Sequence, residues 1–343
     1  MRIEIATNND KDRWNGFLNS SENGSFYHLF EWKGIYENSF KHETFYLMAM
    51  DESNEIKGIF PLVLVKGIFF GKLAVSVPFL NYGGFCTINE EAWGALFEKA
   101  VDIVKIHKAK YLEIRSINRY GFDLPIKTHK VSMTLPLNPD PETLWNKFSS
   151  KQRQTIRKGT KNGLEFKFGR KELLRDFYEV LCRGWRDLGT PIYHFSFFEN
   201  IVDTFGDSIE IYLVMYEGKP IATALVGFFK KTVEGMWLAT LKDFAKLQTN
   251  YFQYWEMVKR ACERGYELFH FGRSTVESGG QFFKEKWNAV PTPLYWYYHL
   301  NAMKNLPELN KENPKYDFPI KIWQQLPLWM TKIIGPPIAK GIP

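Results

Sequence analysis

The stretch that decides the fold reads Phe269-His270-Phe271-Gly272-Arg273-Ser274. Its alternating apolar residues, preceded by Tyr266 and Leu268, predict a buried strand that ends at Gly272. Arg273 and Ser274 would then lie at the C-terminal edge of this strand, where open α/β sheets place their ligands. A cation and a hydroxyl group at such an edge suit a ligand that carries an anionic group or a carbonyl.

The elements on either side of this stretch predict a strand meander, a helix and a further strand. Three apolar strand patterns come first, at residues 209–216, 221–229 and 232–239. Residues 250–264 have the period of a helix, which leads into the opening strand. The glycine-containing connector 276–280 then precedes a short aromatic helix that carries Lys284 and Trp287.

An internal repeat determines the predicted architecture. The helix–strand unit of residues 91–116 aligns with residues 249–274 at an offset of 158, and Arg115-Ser116 falls on Arg273-Ser274. Order, element type and spacing agree although the identity is low. We therefore predict an α/β fold (α+β mixed sheet) that consists of two tandem copies of one unit.

The best domain boundary is the sequence Asn-Pro-Asp-Pro-Glu at residues 138–142. It also begins a helix, with Asp140 as N-cap and Pro141 at the first helical position, and this helix is predicted to run to Lys161. The predicted parts are an N-terminal domain of residues 1–137, a C-terminal domain of residues 138–302 with the main site, and a tail of residues 303–343.

The positive charge of the chain is local. The formal net charge is +7, but residues 147–171 alone contain nine basic residues and one acidic residue. The basic residues predicted to contact phosphate groups of a substrate are Lys151, Arg153, Arg157 and Lys158. A merely solvated helix face is the alternative reading.

The remaining bulk properties indicate a folded protein of a reducing compartment. Three isolated cysteines do not predict a disulfide framework. The N-terminus has no apolar export segment and no apolar run is long enough to span a bilayer, so the predicted location is cytoplasmic, at most peripheral to the inner face of the membrane. The amphipathic tail, with Trp323, Trp329 and Ile333 beside lysines, is predicted to pack on the second domain or to contact a membrane interface.

Several classes of enzyme lack their motifs here. The seven histidines have no metal-ligand spacing, and no nucleophile elbow, Walker loop or dinucleotide-binding glycine motif occurs. Hydrolase, kinase and dehydrogenase functions are therefore disfavoured, and we predict no metal site.

The tandem pattern resembles the GNAT (Gcn5-related N-acyltransferase) fold, and its duplicated form resembles the FemAB-like aminoacyltransferases. The most specific match is to the FemAB-related subgroup associated with exosortase/PEP-CTERM systems. It is carried by Arg186-Asp187-Leu188-Gly189-Thr190-Pro191, Asn250 with Tyr254-Trp255, Phe271-Gly272-Arg273-Ser274, Phe283-Lys284 with Trp287, and Pro293-Leu294. Trp323, residues 326–328 and residues 335–336 resemble the C-terminal tail of that subgroup.

The resemblance implies transfer of an acyl or aminoacyl group from an activated donor, a tRNA ester or a thioester, to an amine on a cell-envelope, peptidoglycan or exopolysaccharide precursor. The implied catalytic residues are Arg273, Ser274 and Lys284. Residues expected to bind substrate, besides the four basic ones above, are Tyr82, Gly83, Gly84, Arg186, Thr190, Asn250, Tyr254, Trp255 and Trp287. No side chain is identified as general base, and the oligomeric state is left open.

We expect no tightly bound cofactor, and the donor is aminoacyl-tRNA or acyl-CoA. Residues 246–250, which replace the glycine-rich loop that holds coenzyme A in GNAT proteins, contain no glycine. The long helical arm of FemA-like proteins is missing, and Asn288 follows Trp287 where the subgroup has glycine. Two alternatives are a coenzyme A-dependent GNAT N-acetyltransferase and a non-catalytic scaffold in exopolysaccharide or protein-sorting machinery.

Overall fold

The computed structural model describes residues 1–68, 70–308 and 317–343. These residues form two compact units. The first unit consists of the described residues of Met1–Lys130, Pro293–Leu309 and Pro337–Pro343, and the second of those of Val131–Thr292 and Asn310–Pro336.

The elements of the first 136 residues begin with a short strand and two helices, continue through a strand meander, and end with a helix between two strands. In chain order they are β1 (Arg2–Ile5), α1 (Lys11–Ser20), α2 (Glu31–Phe40), β2 (Glu43–Met50), β3 (Ile56–Gly67), β4 (Gly71–Val75), β5 (Cys86–Thr87), α3 (Glu90–Ile106), β6 (Tyr111–Ser116) and β7 (Ile126–Pro136).

The remaining elements repeat the meander, helix and strand and then add two C-terminal helices. They are α4 (Pro141–Lys147), α5 (Ser150–Lys161), β8 (Glu165–Gly169), α6 (Leu174–Asp187), α7 (Phe195–Phe205), β9 (Ile209–Tyr216), β10 (Lys219–Phe229), β11 (Thr232–Thr240), α8 (Thr249–Glu263), β12 (Leu268–Thr275), α9 (Gly279–Glu285), β13 (Val290–Leu300), α10 (Asp317–Gln325) and α11 (Leu328–Ala339).

The sheet of the first unit has the strand order β1-β2-β3-β4-β6-β13, with β5 paired to β3. The meander β1–β4 is antiparallel, whereas β6 runs parallel to β4 because α3 returns the chain between them. Side chains of α3, among them Leu96 and Val104, pack on one face of this sheet against Leu62 and Ile114.

The sheet of the second unit repeats this topology in the order β7-β12-β11-β10-β9-β8. The strands β8 to β11 form an antiparallel meander, and β12 runs parallel to β11 after the crossover helix α8. The core lies between α8 and the sheet, with Met257 and Val258 against Val226 and Phe269, while α6 packs against β10 and β11. The predicted mixed α/β fold with tandem units is therefore confirmed.

Two local features differ from the predictions. The strand β12 does not end at Gly272 but continues to Thr275, because Gly272 adopts a positive φ of 76° that lets the backbone bend without a break. The helix predicted to run from Pro141 to Lys161 is divided into α4 and α5. Phe148 is extended there, and the hydroxyl of Ser149 accepts a hydrogen bond from Gln152 N as the N-cap of α5.

The units also divide the chain elsewhere than the predicted domains. The division falls between Lys130 and Val131, because the side chains of Val131, Met133 and Leu135 on β7 pack in the second core. Residues 295–300 of β13 pair with β6 and so belong to the first unit. Of the predicted tail, residues 309–316 lie outside the described residues.

Helices α5 and α8 make close backbone contact at Gly159, where an added Cβ atom would lie 2.7 Å from Cβ of Phe252. We expect Gly159→Ala to destabilise the protein by about 1–3 kcal/mol, because the two helices must move apart. Gly94→Ala in α3, where no atom lies within 4 Å of the added Cβ, should instead stabilise by up to about 1 kcal/mol. Urea denaturation of both variants measures this difference, and equal effects would contradict the packing.

Candidate functional site

The strands β11 and β12 part from one another in the second unit. Their registered pairs in the described structure run from Thr232–Leu268 to Glu234–His270, although β11 continues to Thr240 and β12 to Thr275. Gly235 permits the close approach at this point, since a Cβ atom there would lie 2.9 Å from the carbonyl oxygen of His270. Beyond it, backbone N–H and C=O groups on the facing edges become available to a ligand.

Lys284 reaches this edge from α9. The hydroxyl of Ser278 accepts a hydrogen bond from Gln281 N and so caps the start of the helix. The Lys284 side chain is only 9% exposed, and its Nζ donates to the carbonyl oxygens of Gly272 at 3.1 Å and Arg273 at 3.0 Å. Burial, reinforced by the charge of Arg273, lowers the pKa of Lys284 to about 7. Near neutral pH this amine is therefore populated in both its charged and its neutral form.

Arg273 and Ser274 occupy the end of β12. The side chain of Arg273 is half-buried, and that of Ser274 is buried. The structure thus brings all three predicted catalytic residues to the end of β12, with the ammonium group of Lys284 directed at the backbone carbonyls of Gly272 and Arg273.

Aromatic rings form the floor beneath this edge. Trp287 is fully buried, and the ring of Tyr254 lies 5.3 Å from Phe271 and 5.9 Å from Trp287. Burial raises the pKa of Tyr254 to about 12, so its hydroxyl stays protonated at neutral pH. Trp255 is buried beside them. These three predicted binding residues belong to the hydrophobic core around the site and hold its shape.

The predicted basic surface lies on α5. Lys151, Arg157 and Lys158 are exposed, as phosphate contacts require. Arg153 instead donates hydrogen bonds to the carbonyl oxygens of Asn146 and Phe148, at 3.2 and 2.7 Å, and so stabilises the end of α4.

Aromatic contacts connect this basic surface with the floor of the site. The guanidinium carbon of Arg157 lies 5.3 Å from the centroid of Trp145, whose own ring lies 4.7 Å from that of Trp255. A polyanion bound along α5 would therefore lie beside the aromatic floor.

Three further predicted residues lie near the end of β11. The carboxamide of Asn250 accepts a hydrogen bond from the hydroxyl of Thr240, the last residue of that strand. Arg186 forms an ion pair with the neighbouring Asp187 at 2.7 Å, and Thr190 N donates to the carbonyl oxygen of Trp185 at 2.8 Å. The end of α6 packs against β11, since an added Cβ atom on Gly184 would lie 2.8 Å from Cβ of Ala239. These residues lie near β11, whereas Lys284 contacts β12, at the place where the two strands separate.

Tyr82, Gly83 and Gly84 belong to the first unit. Gly83 N donates to the carbonyl oxygen of Arg115 at 2.9 Å, and Gly84 adopts a positive φ of 100°. This loop therefore lies on the end of β6, which is the counterpart of the β12 edge.

The counterpart arginine has a structural role. Arg115 is fully buried, its Nε donates to Glu113 at 2.6 Å, and its guanidinium group stacks over Trp296 at 4.4 Å. Its charge is thus balanced by Glu113 within the first unit, and the role seen for Arg273, which helps to lower the pKa of Lys284, is a different one.

Sequence reasoning missed one polar cluster, which consists of Ser132, Glu234 and His270. His270 Nδ1 lies 2.7 Å from the carboxylate of Glu234, and its Nε2 is hydrogen-bonded to the hydroxyl of Ser132. All three are buried and come from β7, β11 and β12. The signal that could have revealed them is a polar residue at an inward position of an otherwise apolar strand. The cluster joins three strands at the point where β11 and β12 part.

Comparison with known proteins assigns the fold. Residues 146–285, which include α5 to α9, match the family model described as the acetyltransferase (GNAT) domain. The chain has the GNAT fold, and its resemblance to FemAB-like acyltransferases of that fold is confirmed.

A curated relative shows which kind of FemAB-like protein the chain is similar to. The lipid II:glycine glycyltransferase of Staphylococcus haemolyticus (strain JCSC1435) is 24% identical over 248 residues, 63% of this chain and 55% of that protein. The chain thus spans just over half the length of this curated relative.

Two solved structures share the fold. The crystal structure of FemX superposes with a TM-score of 0.67 at 17% identity and covers 95% of this chain and 100% of its own. A tandem GNAT protein from the clavulanic acid biosynthesis pathway has a TM-score of 0.55 at 10% identity and covers 89% of this chain and 100% of its own.

Lys284 should make stability depend on pH. Its pKa of about 7 in the folded protein lies below the 10.5 of an ordinary lysine, so the unfolded chain binds an additional proton between these values. The penalty for burying the ammonium group is complete below pH 7 and disappears as the pH rises toward 10.5. We therefore expect the melting temperature of the wild type, relative to Lys284→Met, to rise between about pH 7 and about pH 9.

Differential scanning fluorimetry over this range measures the effect. Lys286→Met, which changes an exposed lysine two residues away, is the matched control and should show no such trend. A difference between wild type and Lys284→Met that does not vary with pH would contradict the lowered pKa.

Proposed function

We propose that the chain is a FemAB-like N-acyl or aminoacyl transferase that moves the group from an activated donor to an amine on a lipid-linked peptidoglycan or other envelope precursor. The observation that carries the proposal is the amine of Lys284, which has a pKa near neutrality and lies at the edge of β12 beside the divergence from β11. The name of the relative, lipid II:glycine glycyltransferase, supports this acceptor class.

The proposed reaction is direct transfer. The acceptor amine attacks the carbonyl carbon of the donor, a C–N bond forms, and a tetrahedral oxyanion develops. The ammonium form of Lys284 donates a hydrogen bond to this oxyanion. Stabilisation of the oxyanion by a preorganised donor is typically the largest single contribution to the rate enhancement of such reactions. The C–O or C–S bond then breaks, and the proton lost by the amine passes to the leaving group directly or through water.

Two opposing influences act on the ammonium group of Lys284. The carbonyl oxygens of Gly272 and Arg273 stabilise it, and the guanidinium charge of Arg273 destabilises it. The carbonyls hold the ammonium group in place, while burial and the guanidinium charge weaken its hold on the proton. An ammonium of lowered pKa is a stronger hydrogen-bond donor to a developing oxyanion than an ordinary lysine.

The proposed donor is an aminoacyl-tRNA. The exposed cations of α5 supply phosphate contacts beside the aromatic floor of the site. The turn before α8, which would hold the pyrophosphate of coenzyme A, contains no glycine, and Gln248 adopts the positive φ of 66° there. We propose no tightly bound cofactor.

The proposal extends to the subgroup of the protein and to its location in the cell. We place the chain in the subgroup associated with exosortase/PEP-CTERM systems on the motifs of residues 186–191 and 283–287. We propose that it acts in the cytoplasm at the inner face of the membrane, where a lipid-linked precursor would be available. In the described part of the chain, no helix is long and apolar enough to cross a bilayer.

A coenzyme A-dependent N-acetyltransferase is the second candidate function. The match of residues 146–285 to the GNAT domain model and the divergence of β11 and β12 favour it. Isothermal titration with acetyl-CoA distinguishes the two, since absence of binding at high micromolar concentration would eliminate this candidate.

The first test of the proposal is transfer of a labelled aminoacyl group from charged tRNA to lipid II, beginning with glycyl-tRNA. We expect Lys284→Met and Arg273→Ala each to reduce turnover about 100-fold or more, because the oxyanion loses its preorganised donor or the residue that tunes it. Lys286→Met should retain wild-type turnover. Wild-type turnover in both site variants would refute the proposed role of this edge.

The second test concerns the donor. Lys151→Ala combined with Lys158→Ala should weaken binding of tRNA and reduce the slope of log affinity against log salt by about one to two, because two phosphate contacts are lost. The matched control combines Lys105→Ala with Lys110→Ala, two exposed lysines of the first unit, and should leave the slope unchanged. Filter binding across a salt series gives both slopes, and identical slopes for the two variants would argue against α5 as the tRNA surface.

A further inference from the structure

The helices α10 and α11 each present apolar side chains to solvent. Phe318 on α10 is 72% exposed, and Trp329 and Ile333 on α11 are each 64% exposed. Ile322 is exposed one turn after Phe318, as Ile333 is one turn after Trp329, so each helix carries an outward apolar stripe.

The opposite sides of both helices are anchored, which fixes the direction of this face. Trp323 and Thr331 are buried. Gln324 donates to the carbonyl oxygen of Asp187 at 3.0 Å, and Lys332 forms an ion pair with Glu179 on α6. The outward stripe is therefore the side that remains after the helices have packed on the second unit.

In α11 this pattern reverses that of an ordinary surface helix, which directs charged residues outward. Of the fifteen large hydrophobic residues that are exposed in the described structure, five lie within residues 318–334. The sole charged residue in the sequence of α11 is Lys332, and Glu179 already pairs with it. A face of this composition indicates an occupant other than water.

We infer that the face formed by Phe318, Ile322, Trp329, Ile333 and Ile334 docks on the interface of an anionic lipid bilayer. Tryptophan and phenylalanine are suited to the boundary between headgroups and acyl chains. With Lys332 paired to Glu179, residues 317–343 still contain Lys321 and Lys340 against Asp317 alone, and this positive excess is complementary to anionic headgroups.

The size of the face favours a bilayer over a second copy of the chain. Five side chains offer roughly a few hundred Å², whereas a stable protein–protein interface buries about 800 Å² on each partner. Helix α11 has 12 residues and a length of about 18 Å, so it would lie in the plane of the interface and not cross it.

The significance of this contact for catalysis rests on the proposed function. An acceptor held in a bilayer by its lipid is confined to that surface, so an enzyme bound to the same surface meets it at a higher local concentration. The docking face itself is defined without reference to the reaction.

Sedimentation of the full chain with vesicles tests the inference. We expect the wild type to bind vesicles of phosphatidylglycerol and phosphatidylcholine, and to bind pure phosphatidylcholine less well. Trp329→Ser combined with Ile333→Ser should weaken binding at least tenfold. The matched control combines Ile68→Ser with Ile106→Ser, two isoleucines at least 71% exposed that lie outside the face, and should bind as the wild type does.

Three results would overturn the inference. They are failure of the wild type to bind anionic vesicles, equal binding by the Trp329/Ile333 double variant, and a wild-type dimer in analytical ultracentrifugation that this double variant converts to monomers. The last would assign the face to self-association.

Failure of the membrane-docking inference can be distinguished from failure of the proposed function. Vesicle binding is measured without donor or acceptor, and Lys284→Met should bind vesicles as the wild type does. The Trp329/Ile333 double variant should retain transfer to a soluble acceptor without a lipid. Absence of transfer with vesicle binding intact would refute only the proposed function.

Discussion

The second unit depends on the point at which β11 and β12 cease to pair. Up to Glu234 and His270 the two parallel strands are held together by backbone hydrogen bonds, and beyond these residues β11 and β12 no longer pair with each other. The buried cluster of Ser132, Glu234 and His270 adds side-chain bonds across three strands at this same level. Since a buried polar group without a partner is costly, the three groups fix one another and with them the level of the divergence. Lys284, Arg273 and Asn250 of the second unit lie near the strand ends that follow this point.

Lys284 shows how the site departs from the rules that stabilise the remainder of the chain. A buried ammonium group whose described partners are two carbonyl oxygens lowers stability near neutral pH, and the nearby guanidinium of Arg273 increases this cost. Perturbed groups of this kind are concentrated at functional sites, because the same field that destabilises the charge prepares it for proton transfer or hydrogen bonding. In the first unit the equivalent arginine, Arg115, is neutralised by Glu113 and stacked on Trp296, so the same sequence pattern serves packing there.

Much of the fold and part of the site could be predicted from the sequence. Apolar periodicity located the meanders, the crossover helices and the strands that follow them, because these patterns reflect local geometry. It erred where a single residue changes the backbone locally: Gly272 bends β12 without ending it, and Ser149 begins a new helix within the predicted one. It also could not assign β13 to the first unit, since strand pairing between residues 111–116 and 295–300 leaves no trace in either stretch alone.

The sequence by itself determined the tandem α/β topology, the polar end of β12 and the concentration of cations on α5. The tertiary structure alone decided that the edge of β12 and not that of β6 carries an amine of lowered pKa, because burial and neighbouring charge come from residues distant in sequence. It likewise assigned Arg153 to the end of α4, brought Ser132 to His270, and turned the apolar side of α10 and α11 toward solvent. A pattern of residues defines which side of a helix is apolar, but only the anchoring of the opposite side determines where that side points.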